Sequence, residues 1–389
     1  MKIFHLSDLH IGLKLFNRDL REDQEYILQQ IIDAAVRERP QAVVIAGDLY
    51  DKAVPSAEAV EVFDHFITGL AAALPDTSVM LISGNHDSGP RINCLRSVLS
   101  RQNVHMIGLP PRAEGEHIEK VVLEDEFGAV NFYLLPFVRP SMVKQLTGTD
   151  ENGNNLSYNE TLRRLLEREE INQAERNVIV SHQFYLPSGM KAEDVERMDS
   201  EIRTVGNIDE VSADLLGRFD YAALGHIHKP MQVGSEFCRY CGTPLACSVS
   251  EAGQQKGILM AELGEKKGAG QCERKITVIP LEPLRQVRVI RGGLEDVLGE
   301  GCADYVSVIL TDKVDLDILD MQDRIRGAFP NLLEIRREMP WRADYSRGYA
   351  VQEEPEPFDL CCSFLKDADD EMKELLKDVI NTVQEVTQE

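Results

Sequence analysis

Seven side chains suited to divalent cations stand in five short blocks over the first 228 residues: Asp8 and His10, Asp48, Asn85, His182, then His226 and His228. Each block follows a short apolar run. Lys2 to Leu6 (KIFHL) leads into Ser7-Asp8-Leu9-His10, and Gln41 to Ala46 (QAVVIA) into Gly47-Asp48. Val79 to Ile82 (VMLI) leads into Ser83-Gly84-Asn85-His86-Asp87, Asn177 to Val180 (NVIV) into Ser181-His182, and Tyr221 to Leu224 (YAAL) into Gly225-His226-Ile227-His228. Short apolar runs bounded by turn residues read as buried strands. In open α/β sheets the functional groups gather beyond the carboxyl ends of such strands, which is where all five blocks fall. Between them, Glu22 to Arg39 and Ser56 to Leu74 carry apolar residues at three- and four-residue spacing and are expected as helices, the second capped by Ser56. A layered α/β domain is expected.

The residue types point to a chemistry. Two cations about 3.5–4 Å apart can clamp a phosphoryl oxygen and activate water near neutral pH. Mixed imidazole and carboxylate donors suit borderline metals, whereas calcium and magnesium favour all-oxygen shells. Two divalent cations are therefore expected, manganese first, with iron, zinc or magnesium as alternatives.

Other candidates have plainer explanations. His5, inside the first strand, is expected to be a satisfied core histidine, and His65, His105 and His117 belong to no block. Lys14, Arg18 and Lys52 could meet phosphates near the site, but solvated loop charges are the commoner outcome. Cys238-x-x-Cys241, with Cys247 nearby, lacks the second pair that a structural zinc site needs, and packing is expected there and at Cys361-Cys362. Eight cysteines without a secretory signal suit a reducing compartment, and no apolar run reaches about 18 residues. A cytoplasmic, non-membrane protein is expected.

Beyond residue 230 the pattern turns to strand: Gln232-Val233, Phe237 to Tyr240, Gly257 to Leu263 and Lys275 to Ile279, expected to extend one sheet packed against the first. Pro280 and Pro283 mark a boundary. From Gln286 a strand, helix, strand, helix, strand series follows (QVRVI, Leu294 to Leu298, YVSVIL, Leu316 to Phe329, LLEIRRE), a small α+β module. Pro340 to Pro357 reads as a linker, and Phe358 to Val386 as an amphipathic helical tail. The expected domains are 1–280, 281–340 and 341–389.

The ordered blocks, with Gly47-Asp48-Leu49-Tyr50-Asp51, Gly84-Asn85-His86-Asp87 and the Tyr240 to Ala252 segment containing Gly242-Thr243-Pro244, resemble the calcineurin-like metallophosphoesterase superfamily. Over nearly the whole chain they are similar to its bacterial SbcD nuclease family. That resemblance implies an α-β-β-α sandwich with a capping domain that helps present DNA. It implies one cation on Asp8, His10 and His228, another on Asn85, His182 and His226, and Asp48 bridging. His86 would face the phosphate as a catalytic group rather than a ligand. Asp51, three residues after Asp48, would orient it as an acid does in related phosphatases, with Asp87 the second choice. Relatives from archaea and eukaryotes have histidine at the position of Asp51.

The same resemblance implies DNA as substrate, with exonuclease action on duplex ends and endonuclease action on single strands and hairpins. The tail would dock on an SMC-like ABC ATPase, SbcC, and the nuclease would form a homodimer within a heterotetramer. ATP hydrolysis would fall to the partner, because this chain has no Gly-x-x-x-x-Gly-Lys-Ser/Thr loop. A net charge of −24 does not suit a stand-alone DNA binder, whose grip rests on Lys and Arg. Residues Glu353 to Glu389, with 12 acidic and 3 basic side chains, account for −9 of it. Weak DNA affinity without the partner is expected. The rival readings are a phosphomonoesterase or cyclic-nucleotide phosphodiesterase, and, outside enzymes, a scaffold that has kept the fold; the filled ligand positions argue against the scaffold.

Overall fold

The short apolar runs form the centres of two six-stranded sheets. The computed structural model describes residues 1–187, 189–190, 195, 198–201, 209–268, 272–312 and 318–338, with individual positions between 358 and 380. Two compact units emerge, one formed by Met1–Glu201 and Asp209–Gln286, the other beginning again at Val287.

In the first unit, strands β1 (Lys2–Leu6), β2 (Ala42–Ala46), β3 (Ser78–Ile82) and β4 (Val104–Ile107) run parallel, and the β1–β2–β3 register sets Leu6 against Ile45 and Ala46 against Ile82. Their carboxyl ends are level, so the loops that follow lie side by side. The second sheet is built from β5 (Glu119–Asp125), β6 (Gly128–Leu135), β7 (Arg176–His182), β8 (Tyr221–Gly225), β9 (Met231–Val233) and β10 (Ser235–Tyr240). Its order is β9-β10-β8-β7-β6-β5, with β6, β7, β8 and β10 parallel. Two long strands, β11 (Lys256–Lys266) and β12 (Cys272–Leu281), add antiparallel to β1 instead. The late strands, expected in one sheet, are thus divided: β9 and β10 finish the second sheet, while β11 and β12 extend the first. Backbone pairing between distant segments decides this, since the alternation of each strand suits either sheet.

Ile3, Val44, Met80, Phe132, Val178 and Ala223 meet in the core between the sheets. On the outer side of the first sheet, α1 (Arg21–Glu38) and α2 (Ala57–Ala73) pack on each other and bury Ile27, Leu28 and Ile31, and Phe63, Phe66 and Leu70. Each such side chain contributes about 1.5–3 kcal/mol by leaving water. Ser56 caps α2 by accepting from the Ala59 N–H at 3.3 Å. A second core on the outer side of the second sheet includes α3 (Tyr158–Glu167), through Leu162, Leu165 and Leu166. Helix, sheet, sheet and helix form four layers, as the resemblance implied.

The second unit contains β13 (Val287–Gly292), α4 (Leu294–Gly299), β14 (Tyr305–Leu310), α5 (Ile318–Ala328) and β15 (Leu332–Arg337) around Ile290, Val308 and Ile325. All three strands are parallel, so both helices are crossovers, an α/β arrangement rather than the α+β one expected for this stretch. The expected linker falls outside the described residues; of the expected tail, the described positions include helical residues at 372–377 and 379–380.

Candidate metal and phosphate site

Because β1 and β2 are parallel neighbours, their loops pair beyond the sheet. The Asp8 N–H donates to the Gly47 carbonyl at 2.9 Å, the His10 N–H to the Asp48 carbonyl at 3.0 Å and the Ile11 N–H to the Leu49 carbonyl at 3.0 Å. These turns hold Asp8 (φ 52°), His10 (φ 42°), Asp48 (φ 49°) and His226 (φ 105°) in the left-handed region. Such a backbone costs on the order of 1–3 kcal/mol per non-glycine residue and persists where the surroundings over-determine it. A Cβ on Gly84 would fall on the Asp48 carboxylate, and one on Gly47 on the His182 ring.

All seven candidate ligands and His86 converge here. Asp8, His10 and His228 offer donor atoms within 4.8 Å of one another, as do Asp8, Asp48 and His182. His10 and His228 turn their Nε2 atoms toward each other at 3.1 Å. On the other side, the Asn85 Oδ1 lies 2.9 Å from His182 Nε2 and 3.0 Å from His226 Nδ1. The Asp48 Oδ2 lies between the two groups, 3.8 Å from His10 Nε2 and 3.3 Å from His182 Nε2. Asp8 also accepts from Ser7 Oγ and from the His226 N–H at 3.0 Å.

The electrostatics are those of a site with negative charge to neutralise. Burial alone would raise the Asp48 carboxyl, but His182, His86 and His10 outweigh it and hold Asp48 well below the ordinary carboxylate range. Burial raises Asp8 to about 6 against the pull of His182 and His228. Burial would lower His182, yet Asp48, Asp8 and the Ala46 carbonyl bring it up to about 9. Burial, reinforced by His86, holds His10 well below the usual imidazole value despite Asp48, leaving it in the neutral form that binds metal.

The donor set fits divalent cations. Two Nε2 atoms facing each other at 3.1 Å have room for only one proton between them, and the buried His10 Nδ1 has no hydrogen-bond partner. One shared proton makes that contact an ordinary N–H···N bond, so it is the unpartnered Nδ1, in a cluster of four imidazoles and two carboxylates, that fits a cation.

The carboxylate of Asp51 is the expected partner of His86, and in the structure the contact comes from its main chain. His86 Nδ1 meets the Asp51 backbone carbonyl at 2.9 Å, while the Asp51 carboxylate lies 4.0 Å from His10 Nδ1. A carbonyl only accepts, so His86 carries its proton on Nδ1 and turns Nε2 toward the site, 4.0 Å from Asp48 Oδ2. The second choice, Asp87, does not orient His86 either. It ties the loops together by accepting from the N–H groups of Leu49, Tyr50 and Gly84 at 3.0, 3.0 and 2.9 Å. His86 is held from its own N–H as well, which donates to Asp48 Oδ1 at 2.9 Å.

His5 is a core histidine, bonded to the Tyr221 hydroxyl at 2.8 Å and the Leu224 carbonyl at 3.1 Å. The cysteines are free: Cys238 lies in the outer core, and Cys241 Sγ contacts Ser7 Oγ at 3.0 Å. Sequence reasoning missed a buried group behind His228 made of Ser200, Thr243, Glu251 and Lys256. Its one available signal was a Glu and a Lys in an otherwise strand-like region next to Gly242-Thr243.

Residues 1–230 match the family model of the calcineurin-like phosphoesterases. The chain is 31% identical to the D subunit of nuclease SbcCD from Staphylococcus epidermidis over 342 residues, which is 86% of this chain and 85% of that one. It is 32% identical to the corresponding protein of Staphylococcus saprophyticus over 304 residues, 77% of this chain and 74% of that one. Among solved structures, a dimetal phosphatase from Danio rerio aligns at a TM-score of 0.40 and 14% identity over 72% of this chain and 99% of its own, too low a likeness to carry an argument.

Proposed function

The chain belongs to the calcineurin-like phosphoesterase family, in the SbcD branch that supplies the nuclease of SbcCD, and from that premise we propose how its residues divide the work of cutting DNA. It is a metal-dependent hydrolase of phosphodiesters and a nuclease subunit. The observation that carries the residue-level reading is the convergence of His10, His228, Asn85, His182 and His226 on either side of the Asp48 carboxylate.

Asp8, His10 and His228 would hold one cation, Asn85, His182 and His226 the other, and Asp48 would bridge. Manganese is the first candidate for this mixed donor set, with iron, zinc or magnesium as alternatives. Bound together, the cations supply Lewis-acid polarisation of the phosphoryl group and activation of water. The chain's own residues do the rest. His86, its Nδ1–H kept on the Asp51 carbonyl, presents Nε2 to the leaving ribose oxygen and can give it a proton from that nitrogen as the imidazolium; such a group contributes about 10²- to 10⁴-fold. The loops clamped by Asp87 keep Asp48, Asn85 and His86 in fixed relation.

The substrate would be DNA, cut exonucleolytically at duplex ends and endonucleolytically in single strands and hairpins. Residues 281–340 would act as the capping domain. The tail would dock on the ABC ATPase SbcC, a role suited to the exposed Met372, Leu375 and Val379, and the nuclease would act as a homodimer in the cytoplasm. Among the described residues no helix is long and apolar enough to cross a membrane. The test is cleavage of end-labelled hairpin DNA with manganese, with and without the ATPase and ATP. His86→Ala should abolish cutting with metal still bound, whereas preferential turnover of a small phosphomonoester would favour the phosphatase reading.

A further inference from the structure

His228 is backed by a chain of hydrogen bonds whose directions are fixed by what each atom can do. The Ser200 hydroxyl has one proton, and it goes to Glu251 Oε1 at 2.9 Å, because a carboxylate only accepts. Ser200 Oγ must then accept from its other neighbour, His228 Nδ1 at 2.7 Å. His228 Nδ1 also lies 3.5 Å from Glu251 Oε1, a second acceptor on the same side. The imidazole proton therefore sits on Nδ1, and Nε2 is left with its lone pair facing His10.

Glu251 is itself held from every side. Its Oε2 accepts from Lys256 Nζ at 2.6 Å and Thr243 Oγ1 at 2.9 Å, and its Oε1 from Ser248 Oγ at 3.1 Å and the Cys247 N–H at 3.2 Å. Glu251 and Lys256 are only 1% and 6% exposed, so the ion pair is buried. Lys256 also donates to the His228 carbonyl at 3.2 Å, and Glu201 accepts from the His228 N–H at 2.9 Å. His228, Cys247 and Glu251 are close enough to suggest a third metal position. Glu251 is already engaged there, by the Lys256 cation and by hydrogen-bond donors on both of its oxygens.

We infer that Glu251, anchored by Lys256 and Thr243, is a positioning residue that acts through Ser200 to set the tautomer and orientation of His228. The inference rests on the reading of His228 as a metal ligand. A carboxylate behind a ligating imidazole fixes the ring and raises its basicity, and its loss costs about 10- to 100-fold in metal affinity. Ser200 and Glu251 lie on the Nδ1 side of His228, away from the Nε2 that faces His10, so the effect is on metal loading and not on the chemical step.

The test is calorimetric titration of the metal-free full chain with manganese, with nitrogen-15 NMR of its histidine rings. Ser200→Ala should weaken one of two manganese sites about 10- to 100-fold and shift the His228 signal toward a mixture of tautomers. Ser200→Thr, which keeps the hydroxyl, should restore both readouts. Glu251→Gln should resemble Ser200→Ala; if it does not fold, the Ser200 variants decide. His228→Ala separates the two claims. If His228→Ala leaves both sites intact, the ligand reading fails and the inference with it. If it removes a site while Ser200→Ala binds manganese like the wild type, the ligand reading stands and the positioning role is overturned.

Discussion

Asp51→Asn separates two ways of orienting His86. Were the Asp51 carboxylate its partner, losing the charge would disable the imidazole, with a penalty near that of losing the catalytic group itself, about 10²- to 10⁴-fold, or roughly 3–5 kcal/mol. The observed contact leads to a much smaller figure. The bond from His86 Nδ1, at 2.9 Å, ends on a main-chain carbonyl and survives any side-chain replacement at that position. What Asp51→Asn removes is a negative charge 4.0 Å from the neutral His10 Nδ1 and within electrostatic reach of His86, but no hydrogen bond to either ring. Metal affinity should fall by at most about tenfold, at the lower end for a residue behind a ligand, and added manganese should compensate.

At saturating manganese, kcat for Asp51→Asn should therefore stay within about threefold of wild type, or about 0.7 kcal/mol. The assay is initial-rate cleavage of end-labelled hairpin DNA across a manganese series, with His86→Ala as the reference for complete loss. A drop of about 100-fold or more that persists at saturating metal would refute the carbonyl assignment and return the orienting role to the carboxylate.

Gly84→Ala should cost about 10²-fold in activity, since its Cβ would displace the Asp48 carboxylate and misplacing a reacting geometry by about 1 Å has that effect; retained activity in a steady-state assay would show that the loop can yield. His5 is held in the core at about 3, well below the ordinary 6.5 of an imidazole, chiefly by burial, so its neutral form stabilises the fold above pH 6.5 and that contribution is lost as pH falls toward 3. Relative to His5→Gln, which cannot charge, the wild type should lose about 1.4 kcal/mol per pH unit in that window, read from urea midpoints in chelator; parallel pH profiles would exclude it. His182 is raised to about 9, and a cation must displace its proton, so manganese affinity should climb with pH from 7 to 9; a flat calorimetric profile would contradict the proton count.

The ligand loops were legible because parallel strands buried on both faces read as continuous apolar runs, and the residue types that follow them have few other uses in combination. The limits of the first two helices were legible to within a residue, as Glu22 to Arg39 against the observed Arg21–Glu38 shows, whereas α3 was not read at all. The sheet to which a strand belongs was not. β11 pairs Leu259 with His5, more than 250 positions away, and nothing in its own alternation names that partner. Glu251 was hidden for the same reason: alone it is one acidic residue among many, and its meaning comes from Lys256 on one side and His228 and Ser200 on the other.

The backbone contact from Asp51 to His86 was hidden for another reason. Residue types announce side-chain chemistry, but two of the imidazoles here are oriented by the main chain: His182 by the Ala46 carbonyl at 2.7 Å and His86 by the Asp51 carbonyl at 2.9 Å. A carbonyl is present at every position, so no residue type reports it, and a nearby acidic side chain draws the role to itself. The path of the loop decides which oxygen faces the ring: the Asp51 N–H donates to the Ile11 carbonyl at 3.2 Å, tying this segment to the loop that carries His10. The position therefore tolerates residues other than an acid so long as that backbone bond forms, and what the side chain there controls is the surroundings of the His10 ring.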